Sequence, residues 1–447
     1  MTAPARSTRE QGPTSWYLSR WGMAAGGTAV TLVLIALYAV IWRNAPFRST
    51  DTTEYLRAAQ AIATRHFETF QPRTPGFPLF TLLVGTGRTF FLASLAMHMA
   101  VVGMLVGVLR SMRTDWRLTA LFAAVAVLPS FVQKDAYLLT EGLFEFLETA
   151  GFAALWPGLR SRWWLAASGA AFGLAALTRP QELLLPLVVA ALMFFYFGRA
   201  ALRQAALLLI PFCLLVGSVM VNNFVRYHEF NLTYDLAWHL GTRTYTVFED
   251  IPNPAVRHVL VTTRNASYGD PNLNPIWTSL YTRSELMRVM GKTAPELAHY
   301  MQGVYLHLIL AHPLAYLEEV GRAQVHFWFP ELTKQTNQIA AVRLVSTATQ
   351  LALVGAFLAL AVLWAGLSLG RMVMPVPAWM PSDAQRFLFT AGMAIVCYTA
   401  VLCSALDMGE ARYRSTAELI MLFLIVKAAD FLWARKGQGA DTAGTLS

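Results

Sequence analysis

The chain has 447 residues, 56% of them hydrophobic and only 14% charged. Soluble domains carry about a quarter charged residues, which excludes a soluble globular protein. The net charge of +9 then points away from nucleic acid, because Lys and Arg in an apolar chain chiefly mark the cytoplasmic side of a membrane.

Taken in order, the chain opens with residues 1–22, which hold Arg6, Arg9 and Arg20 before the first apolar run, Met23 to Trp42. That run exceeds a signal-peptide core and reads as an uncleaved anchor. About ten spans are expected, near 23–42, 90–109, 118–133, 137–157, 163–178, 183–198, 204–222, 345–368, 387–405 and 416–433. Residues 434–447 read as a short disordered cytoplasmic tail. The expected fold is an all-α polytopic membrane protein whose membrane domain runs from 23 to 433. Cys213, Cys397 and Cys403 lie inside apolar runs and read as buried packing residues without a disulfide framework.

Alternate connections are basic: Arg110, Arg113 and Arg117; Arg160 and Arg162; Arg199 and Arg203; Arg371 and Arg386; Arg435 and Lys436. The positive-inside rule puts them in the cytoplasm with both termini. The opposite connections are then external, at 43–89, 133–137, 178–182, 223–343 and 407–415. Of 26 acidic residues, only Glu10, Asp115, Asp383, Asp430 and Asp441 fall on the inner side. The remaining acids crowd the external side together with several arginines. The loop at 223–343 is rich in proline and expected to be mostly irregular, with amphipathic helices at its end along the membrane surface.

Particular residues stand out on that external side. Asp51-Thr52-Thr53-Glu54 fits a capping box with Asp51 as N-cap and Glu54 at N3, opening an amphipathic helix through Tyr55, Ala58, Ala59, Ile62 and His66. The same placement would hold Asp51 as a catalytic carboxylate, so capping and catalysis both stand. In "RTPGFP" the pair Pro75-Gly76 suits the centre of a type II turn that fixes Arg73. Lys134, Asp135 and Glu141 follow, with Glu141 about one turn inside the fourth span and Glu145 and Glu148 on the same helical face. Acids in a span cost about 2.5–3.5 kcal/mol each, so these must face a cavity or partners. Arg179, Arg412 and Arg414 break the inside bias at the outer ends of spans. Their planar forks suit phosphate oxygens, with snorkelling to headgroups as the alternative. No P-loop, GxSxG or HExxH occurs, and the nine histidines lack metal spacing. Sequons occur at Asn231 and Asn265.

The ordered set of Asp51 and Tyr55, "RTPGFPLF", "LLTEGLFEFLE", "GLAALTRPQELLLP", "HPLAYLEEVGRAQVHFWF" and "EARYRSTAELIMLFLI" resembles the GT-C glycosyltransferases. Within them it is most similar to the dolichyl-phosphate-mannose–protein mannosyltransferase and lipid A aminoarabinose transferase type, over roughly residues 20–435. The resemblance implies a GT-C-like bundle and an inverting transferase using a polyprenyl-phosphate sugar donor. Its acceptor would be a glycan, lipid or protein, its location the plasma (inner) membrane, and its site external. It further implies Asp51 as base, with Glu54 and Glu141 as the other catalytic candidates. Arg73, Lys134, Arg179, Arg412 and Arg414 are the expected cations for the donor phosphate. Tyr55, Asp135, Glu182 and Tyr413 complete the expected site. The mannosyltransferase branch often has adjacent Asp-Glu in its first loop, whereas here Thr52 follows Asp51. No cofactor is implied, and a divalent metal has no support in the sequence. A transporter using the acidic face of the fourth span is the rival class, and a noncatalytic scaffold leaves the external charges unexplained.

Overall fold

The structure, a computed structural model, describes residues 28–65, 73–270, 273–329, 340–370, 382–407 and 409–443. Two compact units divide the chain, residues 1–45 and 46–447. The first contributes one apolar helix, α1 (Thr28–Ile41), followed by Trp42, which stacks on Tyr38 at 5.1 Å. The second unit holds the rest. Among the described residues it is built from helices, and its strand-like pairing is a single isolated bridge between Phe47 and Tyr137.

Among the described residues each expected span falls mainly on helix, although residues 137–140 of the fourth are not helical. By length and composition four described helical runs can cross a membrane: Arg88–Ser111, Pro180–Tyr227, Arg343–Gly366 and Asp383–Leu406. The pair Trp116–Ala126 and Pro129–Ala136, bent by 56°, makes a fifth if counted as one span. The remaining expected spans are shorter or carry more charge than these runs. The helix Glu141–Gly158 carries three glutamates, Arg162–Thr178 has 17 residues, and Glu418–Ala443 carries Lys427 and Asp430. The runs 183–198 and 204–222 are two helices, Leu185–Phe197 and Leu202–Tyr227, separated at Gly198 with φ 62°, so the 48-residue run Pro180–Tyr227 holds both.

In chain order the second unit contains α2 (Thr50–Thr64), α3 (Gly76–Val84), α4 (Arg88–Ser111), α5 (Trp116–Ala126), α6 (Pro129–Val132), α7 (Glu141–Gly158) and α8 (Arg162–Thr178). Next come α9 (Leu185–Phe197), α10 (Leu202–Tyr227), α11 (Leu236–Thr244), α12 (Pro254–Ser267), α13 (Thr278–Tyr281) and α14 (Arg283–Met290). The last are α15 (Ala294–Ala311), α16 (Pro313–Trp328), α17 (Ala340–Gly370), α18 (Asp383–Leu406), α19 (Ala411–Arg414) and α20 (Glu418–Ala443).

The main core joins α4, α5, α7, α8, α9, α10, α18 and α20. Small residues let the backbones of α8 and α10 touch: a Cβ on Gly169 would collide with the carbonyl of Leu208. Close approach of this kind is how membrane helices gain dispersion energy where no hydrophobic force drives them together. Ser168 adds a 2.7 Å bond to the carbonyl of Gly151. At the opposite end of α20, Lys427 reaches Thr114 at 3.1 Å and Asp430 at 2.6 Å, tying the last helix to the α4–α5 turn.

The long loop at 223–343 ends in helices α15 and α16 as expected, and its earlier part departs from the expectation of irregular chain. Its described part is mostly helical, α11 to α16, around a core of Trp238, Phe248, Leu260, Leu286, Met301 and Tyr305. The prolines start helices instead of breaking them: Pro254, Pro295 and Pro313 sit in first turns. Proline's fixed φ suits N1, where its missing N–H is no loss. Two of the cysteines also differ from expectation, because Cys213 and Cys397 are exposed on their helices and only Cys403 is buried.

Candidate active site

Four stretches of the second unit, together with the start of α7 and the end of α8, converge on one cavity of about 410 Å³. The first is the segment following α1. Phe47 pairs with 136–138 through bonds of 2.7 and 2.9 Å, and the Thr52 hydroxyl donates to the carbonyl of Leu138 at 3.0 Å. These bonds fix where α2 starts. Its N-cap is Ser49, whose N–H donates to Thr52 Oγ1 at 3.0 Å. The capping box is therefore Ser49 with Thr52, and the expected Asp51–Glu54 box does not form. Serine is among the preferred N-cap residues, so neither acid is needed for the cap. His66 lies outside the described residues.

Asp51 accepts from Arg412 Nη1 at 2.9 Å and from Arg73 Nη2 at 3.4 Å. Glu54 instead pairs with Arg73 alone, 2.9 Å from its Nε, and is 42% exposed. It does not line the cavity, whereas Asp51 does. Tyr55 also lines it, packed edge-on against Phe77 at 4.9 Å and covered by the Arg73 guanidinium at 4.9 Å. Burial would raise the Asp51 carboxyl, but the charge and hydrogen bond of Arg412, with the charge of Arg73, outweigh it. The carboxyl lies below its ordinary value.

The second stretch is "RTPGFP". Pro75 is helical, with φ −75° and ψ −17°, and caps α3, so the expected type II turn does not form. Contact explains the difference. Thr74 donates to the carbonyl of Thr178 at 2.9 Å, and a Cβ on Gly76 would stand 2.6 Å from the carbonyl of Leu177. Glycine is needed here because two backbones meet. The motif clamps Arg73 to the end of α8, which presents Arg179.

Arg179 is 8% exposed. Its Nη2 lies 3.3 Å from Glu141 Oε1, and its guanidinium stacks over Tyr413 at 4.7 Å and Phe144 at 5.7 Å. Its Nη1 is buried without a hydrogen-bond partner, as is the second oxygen of Glu141. Glu141 is the first residue of α7, so it stands at the helix entrance rather than one turn inside.

The third stretch, α18 to α19, supplies Asp407, Arg412 and Tyr413. Arg412 is paired with Glu410 as well as Asp51 and lies 5.3 Å from the Tyr413 ring. Tyr413 donates its hydroxyl to Asp407 Oδ2. Burial first, then the charge of Asp407, pushes that phenol well above its ordinary value.

The fourth stretch is the start of α11, where Asp235 and His239 line the cavity. His239 Nδ1 is 3.3 Å from Asp407 Oδ1, and Asp235 Oδ2 is 3.7 Å from Arg73 Nη1. Sequence reasoning missed all three of Asp235, His239 and Asp407. A His four residues after an Asp on a short helix was the available signal, and without its partner in the loop at 407–415 it pointed nowhere. The rest of the lining mixes polar residues such as Gln181, Asn231 and Thr233 with leucines, of which Leu184 and Leu236 are 51% and 40% exposed.

Other expected site residues are placed elsewhere. Lys134 and Asp135 do not line the cavity. Lys134 lies 3.2 Å from Glu145, and His98 Nδ1 lies 3.3 Å from Asp135 and 3.6 Å from Glu145. This is a buried, self-paired cluster between α4 and α7, where each charge needs the others to offset its desolvation. Arg414 is also a correction to the expected phosphate set. It is 1% exposed, bonds Glu418 at 3.1 Å, and donates to the carbonyls of Phe327 and Phe329 at 2.6 and 3.1 Å. It joins α16 to α20 and has no face toward the cavity lining. Glu182 and Glu148 are buried beside the cavity wall rather than in it. Among the described residues no group of three or more His, Cys, Asp and Glu is arranged to hold a metal ion.

No protein-family model matches the chain, and no curated protein matches it. Among solved structures, it is similar to the crystal structure of ArnT from Cupriavidus metallidurans bound to undecaprenyl phosphate. Identity is 16% over 95% of this chain and 80% of that one, with a TM-score of 0.40. The apo structure of the same protein is 15% identical over 90% of this chain and 78% of that one, with a TM-score of 0.32. At such identities and scores the likeness assigns neither an activity nor the role of any residue.

Proposed function

We propose that the protein is an inverting glycosyltransferase, moving a sugar from a polyprenyl-phosphate-linked donor to an acceptor hydroxyl at the external face of the membrane. The observation that carries this reading is Arg179. A buried guanidinium whose Nη1 has no hydrogen-bond partner among the described residues, stacked on an aromatic ring in a cavity, suits an anion. The exposed leucines Leu184 and Leu236 suit the lipid part of such a donor, and the charged wall suits its phosphate.

The chemistry follows from the lining. Arg179 and Arg412 hold the phosphate and neutralise charge as the bond from C1 to the phosphate oxygen breaks. The Asp51 carboxylate takes the acceptor's hydroxyl proton as that oxygen bonds to C1. Attack from the side opposite the leaving phosphate inverts C1. Whether the acceptor is a glycan, a lipid or a protein is set by parts of the cavity that no lining residue labels.

The test is transfer by the purified, reconstituted protein, supplied with polyprenyl phosphate carrying a radiolabelled sugar and an envelope extract as acceptor. Label moving to the acceptor supports the reading. Label remaining on the lipid while vesicles accumulate an ion-coupled solute would replace it with transport.

A further inference from the structure

The cavity contains one acid–base pair that the reading above does not use. His239 is its lining histidine, and Asp407 faces His239 Nδ1 at 3.3 Å. The same Asp407 accepts the Tyr413 hydroxyl, and the Tyr413 ring lies under Arg179 at 4.7 Å and beside Arg412 at 5.3 Å. Asp407 thus links the imidazole to both guanidinium groups assigned to the phosphate. On the other side, Arg73 bridges Asp51 at 3.4 Å and Asp235 at 3.7 Å. Asp235 lies one helical turn before His239, whose N–H donates to its carbonyl at 3.3 Å. The chain of contacts closes around the cavity, with the base on one arc and the imidazole on another.

Three kinds of lining group could serve the leaving phosphate. Arginine binds it but does not release a proton. The phenols of Tyr55 and Tyr413 are held above their ordinary range, first by burial, and release theirs reluctantly. Imidazolium releases a proton near neutrality, and a phosphate monoester accepts one near pH 6.

Resting on the glycosyltransferase reading, we propose that His239, oriented by Asp407, is a second catalytic residue that protonates the departing phosphate while Asp51 deprotonates the acceptor. The acceptor's O–H proton goes to Asp51. The C1–O bond to phosphate breaks, its electron pair staying on the phosphate oxygen. That oxygen takes the imidazolium proton, leaving polyprenyl phosphate one charge less negative. Asp51 then loses its proton to solvent and His239 regains one, so each turnover balances. The surroundings favour the charged imidazole: burial opposes it, but Asp407 and then Asp235 outweigh burial and Arg73. Arg243, on the same helix, also feels the charge of Asp407.

The test compares His239→Gln with the unaltered protein on two donors, polyprenyl phosphate sugar and its phosphorothioate analogue, whose leaving group is less basic. Turnover of the phosphate donor should fall about 10²-fold, with a much smaller fall on the analogue, and the alkaline limb of the kcat profile should vanish. Equal losses on both donors, or an unchanged profile, overturn the assignment. Should His239→Gln fail to fold, Asp407→Asn keeps the imidazole but removes the charge that sustains its proton, so the alkaline limb should move to lower pH. A limb that stays in place overturns the proposal. Absence of transfer by the unaltered protein from either donor would instead overturn the glycosyltransferase reading on which this one rests.

Discussion

Replacing Asp51 by asparagine separates structure from chemistry at one atom. The substitution keeps the shape and removes the charge. It does not touch the helix cap, which belongs to Ser49 and Thr52. What it weakens are the contacts with Arg412 at 2.9 Å and Arg73 at 3.4 Å. Bonds to charged groups contribute about 1.5–3 kcal/mol each. These three side chains are between 21% and 28% exposed, so solvent screening lowers the figure. The amide oxygen can still accept from Arg412. Arg412 keeps Glu410, and Arg73 keeps Glu54 and Asp235. The net loss of stability should be about 1 kcal/mol. As a base, by contrast, asparagine has nothing to offer, and kcat should drop at least about 10²-fold, or roughly 2.7 kcal/mol of barrier. Thermal unfolding in detergent reads the first number, and transfer of labelled sugar from the lipid donor reads the second. Glu54→Gln, outside the cavity, should leave kcat within about threefold. An Asp51→Asn protein with near-normal kcat, or one whose rate loss is matched by Glu54→Gln, would refute the reasoning.

Further outcomes follow from the same geometry. Arg179→Lys keeps the charge but loses the fork, and the apparent donor KM should rise about tenfold or more, with melting temperature nearly unchanged; an unchanged KM would remove Arg179 from the phosphate site. Arg414→Ala leaves Glu418 buried without its partner, so the loss should be about 3–5 kcal/mol of stability, and pairing it with Glu418→Ala should recover part of that in a melting experiment. Gly76→Ala puts a Cβ 2.6 Å from the carbonyl of Leu177, and the forced shift of the Arg73 turn should cost about 1–3 kcal/mol and lower transfer. For pH, the depressed Asp51 carboxyl stays ionised until pH falls below the ordinary carboxylate range. Its contribution to stability and activity is present above that point and lost as pH falls through it. Arg412→Gln leaves burial dominant, so the acid limb of the kcat profile should move to higher pH.

The parts of this protein that were legible in the sequence share one property: they depend on neighbours close in the chain. Apolar runs marked the helices, Arg179 and Arg412 were visible because they break a regular inside–outside pattern, and Asp51 because it opens a helix just after the first apolar run. Errors came where distant contacts decide. The cap of α2 went to Ser49 because Thr52 is also held by the carbonyl of Leu138, 86 residues away. Lys134 and Arg414 carry the same charge as Arg179 and sit near similar helix ends. Their partners, Glu145 and Glu418, retain them inside the protein, and nothing in their local sequence announces it. The loop at 223–343 hid Asp235 and His239 because its prolines suggested broken chain when they begin helices.

A carboxylate held below its ordinary proton affinity is a weak base, and Arg412 and Arg73 so hold Asp51. The lining acids Asp51, Glu141, Asp235 and Asp407 face Arg73, Arg179, Arg412 and His239. Buried charges of this kind persist only when paired, so the resting site spends its cations on its own acids. Under the proposed mechanism a phosphate seated at Nη1 of Arg179 arrives beside the Tyr413 ring, which Arg412 also flanks. Arg412 is then divided between two anions, and its hold on Asp51 weakens. The donor also excludes water, adding to the burial that already raises this carboxyl. Both changes increase the proton affinity of Asp51, and both require the donor. On that mechanism the ion pairs of Asp51 with Arg412 and Arg73 restrain the base, and the donor phosphate relieves the restraint. Arg412→Gln removes the first of these two influences outright, so its kcat profile, measured with the donor bound, should show a smaller further effect of the donor on the acid limb.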